Sequence, residues 1–180
     1  MKIALFDMDG TLFDYVGELS RQMEEIRSPE EKWTDPFEET PYLNSRRKLI
    51  KSFPGFWRDL PKYKPGWDIL HRSRIIGYDI HILTKGPRIP SAWTEKVECI
   101  HNHFSDATIH ITEDKSVHYG RVLVDDYPDY IESWLKYRQR GLVIMPAHDY
   151  NKGFSHPNVI RYTDNIIEVN NALMEAYDRA

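Results

Sequence analysis

The sequence predicts an α/β protein, a doubly wound Rossmann-like parallel sheet with a small helical cap inserted after the first strand. Short β-rich runs alternate with amphipathic helices, which is typical of a mostly parallel sheet covered by helices on both faces. Residues 15–64 break this alternation, because they are turn-rich and contain no convincing buried strand. We therefore divide the 180 residues into a core domain, 1–14 and 65–180, and a cap, 15–64.

Six short β-rich runs predict the strands of the sheet. The cap lies between the first strand and the next β-α unit, so the chain enters it from the carboxyl end of the sheet. Open α/β sheets bind their ligands at that end, which gives the insertion a place beside a ligand site. The predicted strands are 2–7, 78–83, 107–111, 121–125, 141–145 and 159–162.

Two amphipathic helices are predicted on either side of the second strand. The first has its inward positions at helical spacing and ends at Gly77, and the second keeps a stripe at i, i+4, i+7 and i+11. Both are therefore expected to pack on the sheet. The inward residues are Ile69, Leu70, Ser73 and Ile76 in the first helix, and Trp93, Val97, Ile100 and Phe104 in the second.

Two further helices follow in the second half of the chain. One begins near Pro128 and ends before Gly141, and the other begins at Asp164, a residue that is favourable as an N-cap. Their inward residues are predicted as Ile131, Trp134 and Leu135 in the former, and Ile166, Leu173 and Tyr177 in the latter.

Composition and charge exclude several classes of protein. No apolar run approaches the roughly 18 residues of a membrane span, and Met1 leads into a short strand without a cleavable signal pattern. The one cysteine, Cys99, excludes an internal disulfide, and the net charge of -4 argues against a general binder of nucleic acid polymers. We expect a soluble cytoplasmic protein without a membrane partner, and the sequence leaves a homodimer open.

Two carboxylates stand directly after the first strand, in the run "DMDG". Asp7 ends the strand, and Asp9 points to the same side if the chain stays extended. Such a pair is costly unless a shared proton or a cation relieves the repulsion, and Mg²⁺ is a hard cation that prefers oxygen ligands. An EF-hand calcium loop does not fit, because Gly10 stands at position four of the run instead of six. A solvated turn remains the other reading of these residues.

Four more polar residues lie next to other strands of the predicted sheet. Thr84 lies at the tip of the second strand, Asp125 and Asp126 at the tip of the fourth, and Lys115 precedes that strand. Because the carboxyl ends of parallel strands meet at one edge, we expect these groups to converge with the acidic pair. Together they supply a carboxylate nucleophile, an acid, a hydroxyl and a cation for phosphate oxygens, and ligands for Mg²⁺.

In this order, "DMDGT", "LTK", "DKS" and "VDD" resemble the four motifs of the haloacid dehalogenase superfamily of aspartate-nucleophile phosphohydrolases. Within it the chain is most similar to the 5'(3')-deoxyribonucleotidases. The segments that carry this likeness are "FPGFWRDLPKYKPGWDIL", "AWTEKVECIHNHF" and "ITEDKSVHYGRVLVDD". The resemblance covers most of residues 1–135 and, more loosely, the remainder.

The resemblance implies a role for each motif residue. Asp7 would attack phosphorus to form an aspartyl-phosphate, and Asp9 would protonate the leaving oxygen and later activate water. Mg²⁺ would be held by the Asp7 carboxylate, the Asp9 backbone carbonyl and Asp126, with Asp125 as a further ligand or a partner of the ligands. The phosphate oxygens would be bound by Thr84 and Lys115.

The resemblance also makes the insertion a cap that closes over the substrate. Four aromatic residues are candidates to stack on a base or ribose, since flat rings suit nucleobases and lose few rotamers on binding. The alternative is that they form the small core of the cap itself. The candidates are Tyr15, Phe53, Phe56 and Trp57.

Two positions depart from the nucleotidase pattern. Lys85, which we include among the substrate-binding candidates, follows Thr84 where these enzymes usually have a small hydroxyl residue, and Glu113 stands where an arginine is common. The phosphate site is expected to survive these changes, whereas the preference for base and sugar is left open.

The function expected from these residues is a Mg²⁺-dependent phosphomonoesterase of nucleoside monophosphates, through an aspartyl-phosphate. One alternative is a related phosphatase of another small phosphoester, and another is a non-hydrolytic phosphoaspartate or nucleotide-binding module. In receiver domains of response regulators the acidic pair comes first, whereas here the lone Asp7 precedes "DD". The presence of Asp9, the acid and base that hydrolysis needs, also favours an enzyme.

Overall fold

The computed structural model describes residues 1–179 and contains one six-stranded sheet in which every neighbouring pair of strands is parallel. The strand order is β3-β2-β1-β4-β5-β6, so β1 lies in the middle with β2 on one side and β4 on the other. This order confirms the predicted doubly wound fold. The strands are β1 Ile3–Phe6, β2 Asp79–Lys85, β3 Thr108–Thr112, β4 Val122–Val124, β5 Leu142–Pro146 and β6 Val159–Tyr162.

Within residues 1–179, six α-helices accompany the sheet. Two lie in the region between β1 and the next β-α unit, and the other four alternate with the strands in the remainder of the chain. The division into core and cap at residues 15 and 64 agrees with this element order but stays a prediction. The helices are α1 Tyr15–Glu25, α2 Pro41–Ile50, α3 Lys64–Ile76, α4 Pro90–His101, α5 Pro128–Tyr137 and α6 Ile166–Asp178.

The central strand divides the apolar core into two layers, because successive side chains of a strand point to opposite faces. Ala4 and Phe6 of β1 belong to a large cluster with residues of α3, α4 and α6, and this cluster continues into the region of α1 and α2. Ile3 and Leu5 belong to a smaller cluster that includes Trp134 of α5. Helices therefore cover both faces of the sheet, as the sequence predicts.

The predicted inward stripe of α4 is wrong at one position. Trp93 is 40% exposed and donates its indole N–H to the Pro87 carbonyl, whereas Lys96 is buried on the inner side of the helix. Periodicity favours the apolar residue as the inward one. The ion pair between Lys96 and Asp9 reverses that preference, because it compensates the free-energy cost of burying the Lys96 charge.

The predicted start of the last helix is one residue early. Asn165 is the N-cap of α6, and Asp164 has a φ of 105°, which is a left-handed conformation.

None of the helices in residues 1–179 combines the length and the apolar character that a membrane crossing requires.

Candidate active site

The turn after β1 brings the first carboxylate to the centre of the sheet edge. Asp7 is buried, and its backbone N–H continues the strand pairing by donating to the Val124 carbonyl over 2.8 Å. Gly10, three residues later, has a φ of 76°. A Cβ atom at Gly10 would lie 2.6 Å from Asp126 Oδ2, so glycine permits both the turn and the close approach of the β4 carboxylate.

Lys115 joins the carboxylates that follow β1 and β4. Its Nζ lies 2.7 Å from Asp7 Oδ1 and 2.6 Å from Asp125 Oδ2, and all three side chains are buried. Burial alone would lower the pKa of Lys115, but Asp125 and Asp7 raise it above its usual value. The lysine is therefore a fixed cation at this edge of the sheet.

Asp126 is held by two hydroxyl groups. Thr11 donates to Asp126 Oδ1 over 2.8 Å, and Tyr150, from the loop after β5, donates to Asp126 Oδ2. The amide of Asn151 donates to the Asp126 carbonyl over 3.0 Å. Backbone and carboxylate are thus both fixed, so that the side chain is preorganised for a ligand.

Asp7, Asp125 and Asp126 form a candidate centre for a divalent cation. Each offers an oxygen, and the three oxygens lie within 4.8 Å of one another. The pKa values of Asp125 and Asp126 are both raised to about 7. Burial is the largest cause, and the negative charge of Asp7 raises both values further. One lysine does not neutralise three buried carboxylates, and a hard cation with oxygen ligands fits this excess of negative charge.

The second carboxylate of the "DMDG" run has a different environment. Lys96 Nζ lies 2.5 Å from Asp9 Oδ2, 3.0 Å from Thr84 Oγ1 and 3.0 Å from the Lys85 carbonyl. Asp9 Oδ1 is buried and has no hydrogen-bond partner among the described residues. Burial raises the pKa of Asp9, and the nearby Lys96 opposes this rise. One oxygen of Asp9 is therefore fixed by Lys96, and the other is left without a protein hydrogen bond in residues 1–179.

A cavity of about 930 Å³ lies over these groups, between the sheet edge and the region of α1 and α2. Asp7, Asp9, Lys115 and Asp126 line it, while Thr84 and Asp125 are buried beside it. The volume is within the range of small-molecule sites. The structure therefore brings the six motif residues together at one end of the cavity, four in its lining and two in contact with lining residues.

The four aromatic candidates separate into two pairs. Tyr15 and Trp57 line the cavity and stack on each other, with ring centroids 5.6 Å apart and ring planes 10° from parallel. Phe56 packs edge-on against both rings, and Phe53 is 37% exposed; neither lines the cavity. Lys85, at the end of β2, does line it, with its Nζ 5.4 Å from the centre of the Tyr130 ring.

Among the residues that the sequence analysis missed, Lys96 and Tyr150 contact carboxylates of the site directly. The apolar pattern of α4 did not predict that Lys96 faces the site. A lysine within a helix that packs at the edge of a sheet is a signal that could have indicated it. Tyr150 lies in a short 3₁₀ helix, Asp149–Asn151, and no pattern in the sequence points to it.

Asp14, the third carboxylate after β1, caps α1 by accepting the N–H of Gly17 over 2.8 Å.

Comparison with known proteins places the chain in a family. The sequence model described as "5' nucleotidase, deoxy (Pyrimidine), cytosolic type C protein" matches residues 1–176. The chain belongs to this family. No curated protein sequence matches it.

Solved structures share the fold of this 5'-nucleotidase family member. A haloacid dehalogenase-like hydrolase from Burkholderia xenovorans LB400 has 16% identity and a TM-score of 0.56, covering 96% of this chain and 97% of its own. One from Xanthomonas campestris has 14% identity and a TM-score of 0.57, covering 99% of both chains. One from Deinococcus radiodurans R1 has 14% identity and a TM-score of 0.54, covering 98% and 96%. These likenesses show the haloacid dehalogenase-like fold.

Family and fold together make the chain a hydrolase of the phosphatase type that acts on a small phosphate-bearing molecule. The acidic centre at the sheet edge is compatible with a divalent metal.

Proposed function

We propose that this protein hydrolyses nucleoside monophosphates as a Mg²⁺-dependent 5'(3')-deoxyribonucleotidase, with Asp7 as the nucleophile. One observation carries the proposal. Asp7 is paired with Lys115 at 2.7 Å, while the free Oδ1 of Asp9 is buried at the same end of a 930 Å³ cavity. A fixed anion and a separate acid are the two groups that a double-displacement phosphatase needs.

In the first step the Asp7 carboxylate attacks phosphorus, and the bond from phosphorus to the ester oxygen breaks. Asp9 gives its proton to the leaving oxygen, so that the nucleoside departs as a neutral alcohol. The raised pKa of Asp9 favours the protonated form that this step requires. The products are the free nucleoside and a phosphoryl group bonded to Asp7.

In the second step Asp9, now ionised, takes a proton from water, and the water oxygen attacks phosphorus. The bond from phosphorus to the Asp7 oxygen breaks, which releases phosphate and restores both carboxyl groups. Lys96 keeps Asp9 in place through its contact with Oδ2. The intermediate divides one difficult displacement into two easier ones.

Thr84, Lys115 and Lys96 are the groups of this chain that would stabilise phosphate oxygens, with Lys85 at the rim. Mg²⁺ would be held by Asp7, Asp126, Asp125 and the Asp9 carbonyl, and would neutralise charge on the transferred phosphoryl group. The Deinococcus radiodurans structure described above contains bound phosphate and sodium, which supports the binding of an anion and a cation by a protein of this fold. Tyr15 and Trp57 would contact the nucleoside.

Phosphate release over a panel of substrates tests the proposal. The panel contains 5' and 3' ribonucleotides and deoxyribonucleotides together with small sugar phosphates, assayed with Mg²⁺ and with EDTA. We expect the highest kcat/KM on a deoxyribonucleotide, no release in EDTA, and recovery when Mg²⁺ is restored. Preference for a sugar phosphate would favour the related phosphatase, and turnover in chelator would contradict the metal.

A further inference from the structure

Lys51 is a half-buried lysine of the cap region that lines the cavity. It follows α2 directly, and its backbone carbonyl accepts the indole N–H of Trp57 over 3.0 Å, which fixes its position beside the Tyr15–Trp57 stack. Within residues 1–179 its ammonium group has no hydrogen bond and no ion pair. The mechanism proposed above does not use it.

A second cation, Arg47, lies near Lys51, but its side chain is bonded to other groups. Arg47 lies one helical turn before Lys51, is buried, and also lines the cavity. Its guanidinium is occupied by the carbonyls of Pro36 and Glu38 and by the carboxylate of Glu39 at 3.2 Å. Arg47 therefore holds the segment before α2 in place, and it adds positive charge next to Lys51.

The charge of Lys51 is electrostatically unfavourable in the free protein. Burial lowers the pKa of Lys51, Arg47 and Lys48 lower it further, and only Asp9 opposes them. The Asp9 carboxylate is already paired with Lys96 at 2.5 Å. An anion that enters the cavity near Lys51 would gain a charge-assisted hydrogen bond and relieve this repulsion.

The phosphate that reacts has its own cations. Lys115 and Lys96 lie at the sheet edge beside Asp7 and Asp9, where the proposed chemistry takes place. Lys51 belongs instead to the helical wall of the cavity, where the proposed chemistry uses no charged group. A cavity of about 930 Å³ has room for a nucleotide that spans both walls.

We propose that Lys51 binds a second anionic group of the substrate, and that the preferred substrate is a nucleoside bisphosphate with one phosphate at Asp7 and the other at Lys51. This inference rests on the proposed function and refines its substrate class. A nucleoside monophosphate carries no second anion for the cap side of the cavity. The reaction would remove the phosphate at Asp7 and leave the other phosphate on the product.

Binding to the Asp7→Asn protein with Mg²⁺, measured by calorimetry, tests this subsite without turnover. The ligands are a nucleoside 3',5'-bisphosphate and the 5'-monophosphate of the same base. A charge-assisted hydrogen bond predicts roughly tenfold or tighter binding of the bisphosphate. Adding Lys51→Met, which keeps most of the apolar stem, should reduce that advantage to about threefold or less. Adding Lys48→Met, which removes an exposed lysine of α2, should preserve it.

Equal affinity for the two nucleotides, or an advantage that survives Lys51→Met, would overturn the inference. A matched sugar pair, glucose 6-phosphate and glucose 1,6-bisphosphate, distinguishes failure of the Lys51 inference from failure of the proposed nucleotidase function. If the bisphosphate binds more tightly only in the sugar pair, and Lys51→Met removes this difference, the anion subsite at Lys51 would be upheld. The nucleotide as substrate class would be overturned. Absence of binding by all four ligands would overturn both. Thermal unfolding checks that both lysine variants are folded.

Discussion

The sheet edge and the helical region opposite it line the same cavity with different chemistry. The edge presents buried charges that pair with one another, as Lys115 does with Asp7 and Asp125. The helical side presents two stacked rings, Tyr15 and Trp57, and the unpaired cation of Lys51. Charges fixed on strand ends are suited to a reaction, whereas flat rings and a free cation are suited to selecting the molecule that reacts.

The two sides also differ in how their residues are held. Asp7, Thr84 and Asp126 lie in or near the ends of strands that are paired on both sides, so their backbones are fixed by the sheet. The rings of the helical side are fixed by one another, since Phe56 packs edge-on against both Tyr15 and Trp57. Substitutions at the edge should therefore change the rate, and substitutions on the helical side should change substrate affinity.

Asp7→Asn should produce the largest effect on the edge. Loss of the nucleophile is expected to lower kcat by about 10³-fold or more, as for other enzymes that lose a covalent nucleophile. The near-isosteric amide should leave the fold intact, which circular dichroism would verify. A kcat within tenfold of the parent protein would contradict the covalent mechanism.

Lys96→Met should produce the next largest effect, because it removes the only hydrogen-bond donor to Asp9 Oδ2 that the described residues supply. We expect kcat to fall by roughly 10–100-fold, since the acid loses its orientation. Single-turnover measurements should show that both chemical steps are slower. Lys136→Met, on the exposed side of α5, is the matched control, and equal rates in the two variants would exclude a role for Lys96.

Trp57→Leu should sharpen the comparison on the helical side. Loss of the ring is expected to raise KM about tenfold and to change kcat less, because stacking on a base is worth roughly 1–3 kcal/mol. Phe53→Leu, outside the cavity, should leave both constants within about twofold. Steady-state kinetics on one nucleotide compares the two variants, and similar KM values would assign Trp57 to packing alone.

The metal-free protein should show the smallest effect, a pH-dependent stability. The pKa of Asp125 and Asp126 in the folded protein is about 7, well above that of an aspartate in water, so these groups bind protons more tightly when folded. Their contribution to stability is therefore present at low pH and is lost as pH rises through about 7. In EDTA we expect a Tm a few degrees lower at pH 8 than at pH 6 from these groups.

Mg²⁺ should reverse this dependence. Because the cation binds the ionised carboxylates of the native state, it should raise Tm more at pH 8 than at pH 6. Scanning calorimetry with Mg²⁺, with EDTA and with Na⁺ alone measures the effect. An equal increase at both pH values would mean that the three carboxylates are not the binding site.

The local sequence determined the six strands and the groups that follow them. Asp7, Thr84 and Asp126 could be assigned to one site without coordinates, because parallel strands of an open sheet all end at the same edge. Alternating β-rich runs and helices were enough to predict that sheet. These features depend on short-range patterns and on a topology with few alternatives.

Only the tertiary structure decided which neighbours complete the site. Lys96 and Asp9 are 87 positions apart, and Tyr150 and Asp126 are 24 positions apart, so no local pattern joins them. In α4 the ion pair of Lys96 with Asp9 outweighed the apolar periodicity that had placed Trp93 inside. A long-range charge interaction in a buried site overrides a local preference, because an unpaired charge there costs more than an exposed ring.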